Sequence, residues 1–198
     1  MAPPSSAPSQ AVRCLTFPIG ARCICGGGDE RFVAANSAER NAVGASDALL
    51  DMLLETKRIA RNQIHEMPAD RRSQEELAAA TDQDNAVALA AAAADYQDEL
   101  EKELGENGHL DIAMFGLGPD GHFASLFPNM PNRINDPDVL VTGVTNSPKM
   151  PPLRLSLTVP MIVRTDYVWV CGSREGKAEA MGIDVPRPEQ SCPSRLLC

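Results

Sequence analysis

Residues 110–115 (Leu-Asp-Ile-Ala-Met-Phe) close on Gly116 and run directly into Gly116-Leu117-Gly118-Pro119-Asp120-Gly121-His122. A short, mostly apolar run that stops at glycine suits a strand buried on both faces of a parallel sheet. In open α/β sheets, ligands sit beyond the carboxyl ends of the strands, so the loop that follows such a strand is the first place to look for chemistry. The flanking sequence agrees with that architecture. Val43, Leu50, Leu53, Leu54 and Ile64 recur at helical spacing after Asn36-Ser37, and Met67-Pro68 ends the run. A polar stretch to Asp84 reads as a loop with a short helical piece. Leu89, Ala93, Tyr96, Leu100 and Leu104 then form one apolar stripe of a second helix, stopped by Gly105 and Gly108. Residues 139–145, 153–159 and 167–172 are strand candidates, and 174–181 a closing helix. This order predicts an α/β fold with an open sheet.

Composition excludes several classes of function. The formal charge of −9, from 18 Lys+Arg against 27 Asp+Glu, is the opposite of a nucleic-acid-binding surface. The longest unbroken apolar run, residues 86–94, is far shorter than the roughly 20 residues of a membrane span. Met1-Ala2-Pro3-Pro4 begins no export signal, so the six cysteines read as reduced thiols in a cytoplasmic protein. Cys23-x-Cys25 lacks further ligands at zinc spacing, and no metal site is expected. Acidic residues are absent before Asp29, and residues 186–198 mix Pro, Ser, Arg and Cys without period. The expected organisation is a disordered or non-native segment over 1–28, an α/β domain over 29–185 and a disordered tail over 186–198.

Four segments can carry chemistry. The three glycines of residues 116–121 allow close backbone approach and free amides for an anion, while Asp120 and His122 add a carboxylate and an imidazole two residues apart. Histidine at that place suits general-base work near neutral pH; the alternative is a turn with a solvent-exposed ring. In Asp29-Glu30-Arg31-Phe32-Val33, Arg31 either grips a phosphate or joins a surface ion pair. Ser147-Pro148-Lys149-Met150-Pro151-Pro152-Leu153-Arg154 presents Lys149 and Arg154 on a proline-stiffened loop, or simply connects two elements. Lys177, in Gly172-x4-Lys177, sits at the start of the last expected helix, as an anion ligand or an ordinary surface lysine.

Asp-Glu-Arg-Phe-Val, Gly-Leu-Gly-Pro-Asp-Gly-His-x-Ala-Ser-Leu-Phe-Pro, Ser-Pro-Lys-x-Pro-Pro-x-Arg-x-Ser-Leu-Thr and Gly-x4-Lys occur in this one order. Together they resemble the 6-phosphogluconolactonases, from Asp29 to about Val185. The resemblance implies a three-layer, mostly parallel, Rossmann-like sheet of the sugar-phosphate isomerase type. With only 28 residues before Asp29, the usual first strands and their Ser-Gly-Gly-Ser-type loop are expected to be lacking. It further implies hydrolysis of 6-phospho-D-glucono-1,5-lactone in the pentose phosphate pathway, with no metal or other cofactor. His122 matches the general base and Asp120 its loop partner. Arg31 matches the phosphate-reaching arginine, with Asp29, Gly118, Lys149, Arg154 and Lys177 as further substrate-binding candidates. Isomerase or deaminase chemistry on the same fold, or a non-catalytic fragment, are the competing readings.

Overall fold

The computed structural model describes residues 23–105, 108–128 and 135–172. Lys177, the helix expected over 174–181 and the tail over 186–198 lie outside them. Among the described residues, hydrogen-bonded strands form three sheets. β1 (Cys25–Gly26) pairs in parallel with β3 (Ile64–His65). β2 (Asp29–Arg31) and β5 (Val141–Val144) flank β6 (Arg154–Leu157), both antiparallel to it. β4 (Ile112–Gly116) runs parallel to β7 (Tyr167–Cys171). Helices are interspersed among the strands along the chain, as in an open α/β fold. The antiparallel β5–β6 pair follows from connection length, because loop 145–153 is too short for the crossover of about a dozen residues that a parallel pair would need.

α4 (Asp82–Leu104) is the main packing element. Thr81 caps it, accepting the Asp84 amide while the Asp84 carboxylate accepts the Thr81 amide. Leu89, Ala92, Ala93, Tyr96 and Leu100 are buried, and α4 lies across β5 and β6. The approach is close enough that a Cβ on Gly143 would stand 2.7 Å from Leu89 Cβ. Tyr96 is fully buried, and its hydroxyl donates to the carbonyls of Gly27 (3.1 Å) and His65 (3.2 Å), fastening the helix beneath β1 and β3. The short helical piece is α3 (Gln74–Ala79), capped by Ser73.

Three expectations change. The first helical stretch is α1 (Asn41–Ala45), continued by a π-helical turn at Ser46–Leu50 into α2 (Asp51–Glu55), and it stops well short of Ile64. Lys57 adopts φ 54°, with its amide bonded to Leu54 O and the Arg58 amide to Leu53 O. That is a Schellman ending with lysine where glycine is usual. Ile64 therefore lies on a strand opposite Cys25. Ordered chain also begins before Asp29, since β1 is already paired. Finally, β4 is buried on one face only: Ala113 and Phe115 are enclosed, while Ile112 and Met114 are exposed.

Replacing Tyr96 by Phe removes this donor from both carbonyls, of which His65 O keeps the Gly27 amide (3.1 Å) and Gly27 O loses its side-chain partner. We expect a loss of about 1–2 kcal/mol in unfolding free energy, read from the urea midpoint. An unchanged midpoint would mean that this hydroxyl does not tie α4 to the strands.

Candidate active site

A cavity of about 520 Å³ opens at the carboxyl ends of β1 and β4. Its lining includes Gly26–Gly28, Asp29, Arg31, Asn41, His122 and Arg154. Four of the eight residues singled out from the sequence thus share one space. Lys149 reaches the same cluster through its ammonium, Asp120 and Gly118 belong to the His122 loop, and Lys177 falls outside the described residues.

The His122 loop is folded on itself. The Gly118 amide donates to His122 O (2.7 Å), and the Gly121 amide, at φ 83°, donates to Gly118 O (3.1 Å). Both amides are consumed within the turn, which corrects the expectation that they, and Gly118 in particular, await an anion. Gly118 instead forms the seat of the imidazole: a Cβ there would collide with Cε1 and Nδ1 of His122 and come within 2.7 Å of Asp120 Oδ1. The ring also packs against Phe127, with centroids 4.6 Å apart. His122 Nδ1 is hydrogen-bonded to Asp120 Oδ1. The Lys149 ammonium lies 3.2 Å from that same oxygen and 3.2 Å from Nδ1. Partial burial works against ionisation of Asp120, but the bonds from His122, its own backbone and Lys149 prevail and bring its pKa down to about 2.

On the facing ladder, register sets Asp29 opposite Ser156 and Arg31 opposite Arg154. Asp29 accepts from Ser125 Oγ (2.8 Å) and from Asn41 Nδ2 (3.3 Å to Oδ1). Burial pushes its pKa up, against the pull of Ser125, Arg31 and Arg154. Glu30, only 2% exposed, does not form the surface pair with Arg31 considered above. Its carboxylate accepts the amides of Asn41 (2.6 Å) and Ala42 (3.0 Å) at the start of α1 and pairs with Arg40 (3.3 Å). Arg31 donates through Nη1 to Glu39 O (2.5 Å), while its Nε is buried without a hydrogen-bond partner among the described residues. Arg154 is buried as well and spends Nε and Nη2 on the carbonyls of Lys149, Met150 and Pro151.

Ser125, Ser156 and Asn41 escaped the sequence reading although they hold Asp29 and the His122 loop in place. Ser125 stands inside the quoted Ala-Ser-Leu-Phe-Pro string, and its amide donates to Ser156 Oγ (3.2 Å). Cys23, Cys25 and Cys171 are free thiols. Among the described residues the one grouping of three potential metal ligands, His109, Asp111 and Asp166, is exposed and lies outside this cavity.

Gly118→Ala forces the imidazole off its seat. The expected cost is about 1–3 kcal/mol of stability, the scale of overpacking, measured by urea denaturation. A variant as stable as the parent would show that the ring is not held against this glycine.

A family model described as glucosamine-6-phosphate isomerases/6-phosphogluconolactonase matches residues 22–197. It thereby runs through the tail that composition sets apart. The chain is 38% identical over 162 residues to a 6-phosphogluconolactonase of Streptomyces coelicolor, covering 79% of this chain and 56% of that protein. It is 37% identical over 161 residues to one of Mycobacterium tuberculosis, covering 80% and 59%. The solved 6-phosphogluconolactonase of Leishmania guyanensis aligns with a TM-score of 0.63 at 24% identity, over 79% of this chain and 60% of that one, which establishes the fold. The chain spans less than two thirds of the length of these curated relatives. Motif order, family match and topology agree: the chain belongs to the glucosamine-6-phosphate isomerase/6-phosphogluconolactonase family.

Proposed function

We propose that the chain hydrolyses 6-phospho-D-glucono-1,5-lactone to 6-phosphogluconate. The observation that carries this reading is the shared cavity: its lining holds both an imidazole with a carboxylate partner and an arginine whose buried Nε has no partner among the described residues. That pairing suits a substrate with a reactive carbonyl at one end and a phosphate at the other.

With Nδ1–H donated to Asp120, the lone pair of His122 is on Nε2. Nε2 takes a proton from water as the oxygen attacks the lactone carbonyl, and the imidazolium returns it to the departing ring oxygen. The new C–O bond forms at the expense of the carbonyl π bond, the resulting tetrahedral oxyanion collapses with cleavage of the ring C–O bond, and no redox change occurs. Arg31 holds the phosphate, which supplies orientation rather than chemistry. In this reading Asp29 accepts from a sugar hydroxyl, and its charge balances Arg31 and Arg154. Because the chain carries −9 overall, these local cations must attract the anionic substrate against the mean field.

The test is lactone opening by the purified chain, corrected for spontaneous hydrolysis. Turnover above that background is expected, and its absence would defeat the proposal. His122→Ala should lower kcat by about a hundredfold or more, the scale of a lost general base. Arg31→Ala should raise KM by about tenfold with little change in kcat, the signature of lost uniform binding. An unaltered KM would place the phosphate elsewhere.

A further inference from the structure

Lys149 and Arg154 both carry positive charge beside the cavity, and their motif suggests that both meet the substrate. Their hydrogen bonds point to other work. Arg154 donates Nε–H to Pro151 O (3.1 Å) and both Nη2 hydrogens, to Lys149 O (3.0 Å) and Met150 O (3.2 Å). A guanidinium has five N–H donors, and bidentate capture of a phosphate needs two parallel ones from neighbouring nitrogens. With Nε and Nη2 committed to the loop, no such fork is left. The Phe127 ring, 5.8 Å from the guanidinium carbon, further confines it.

The loop that Arg154 grips ends its reach at the other side of the site. The Lys149 amide donates to Ser147 Oγ (3.2 Å), its carbonyl is held by Arg154, and its ammonium stands 3.2 Å from both Asp120 Oδ1 and His122 Nδ1. An ammonium can only donate and an ionised carboxylate can only accept. Asp120 is bonded to Nδ1, so the arrangement that satisfies all three groups puts a hydrogen on Nδ1, with Asp120 accepting from both the ring and Lys149.

We propose that Arg154 and Lys149 are positioning residues of His122 rather than phosphate ligands. Arg154 fixes the loop, the loop fixes the Lys149 ammonium, the ammonium orients Asp120, and Asp120 holds the imidazole as its Nδ1–H tautomer. Among the described residues, phosphate capture then falls to Arg31. Only the kinetic part of the test rests on the lactonase reading; the ring tautomer does not.

The chain has three histidines, so ring 15N shifts of the full-length protein can be assigned to His122 by the signal lost in His122→Gln. The parent should show one Nδ1–H tautomer at His122. Lys149→Met should convert it to a mixture, Lys149→Arg should restore it, and Arg154→Met should reproduce the Lys149→Met spectrum without touching the ring. Should Arg154→Met fail to fold, Lys149→Met at a partly exposed site decides alone. Unchanged His122 shifts in Lys149→Met would overturn the proposal. In turnover, Lys149→Met should lower kcat by about tenfold with KM held within about twofold. A tenfold rise in KM at preserved kcat would instead make Lys149 a phosphate ligand. If the parent opens no lactone, the functional reading fails while the ring shifts still decide this one.

Discussion

The register of β2 on β6 governs the rest of the site. It sets Asp29 beside Ser156 and Arg31 beside Arg154 on one face, since side chains two apart on a strand point the same way. Ser156 takes the amide of Ser125, whose hydroxyl donates to Asp29, so the segment that follows His122 is pinned to this ladder. Arg154 ties down the loop that delivers Lys149 to Asp120. A slip of one residue would turn every one of these side chains to the opposite face. Burial makes such a slip costly, because Leu155, Ser156 and Leu157 are all enclosed.

Two arginines on adjacent strands repel each other, and the site uses that tension. Asp29 lies close enough to feel both guanidiniums, and Arg154 is neutralised further by three loop carbonyls. Arg31 has a single carbonyl partner, with a buried Nε left over. Of the two cations, it is the one that keeps adjacent donors, on Nε and Nη2, for bidentate capture of an anion. Glu30, the nearest acid in sequence, is withdrawn from this balance by capping α1 and pairing with Arg40. A chain with a net charge of −9 can in this way present a small cationic wall.

Much of this was legible in the sequence, for physical reasons. The α4 stripe was, because one apolar face over more than six turns leaves a single packing solution, and Leu89, Ala93, Tyr96 and Leu100 all occupy the core. The strand-then-glycine junction at residue 116 was, since an apolar run closed by glycine demands a strand that ends in a turn, here one that borders the cavity. The extent of the first helix was not. Its stop is a left-handed lysine, and Lys57 carries none of the signal that glycine would. The division of labour among the charged residues was also hidden. Glu30, Arg31, Lys149 and Arg154 differ in role only through the partners the fold supplies, and those partners lie up to 29 positions away in sequence. The one-sided burial of β4 could not be read from its composition, which suits cover on both faces equally well.

In the proposed reaction one sugar phosphate spans His122 and Arg31. Titrating 6-phosphogluconate into the full-length chain while following the ring signals of its three histidines tests it most directly. A saturable shift of His122 is expected, with exposed His109 unmoved, and a clearly weaker titration once Arg31 is replaced by Ala. A His122 signal indifferent to the ligand, or a titration that survives loss of Arg31 unchanged, would contradict it.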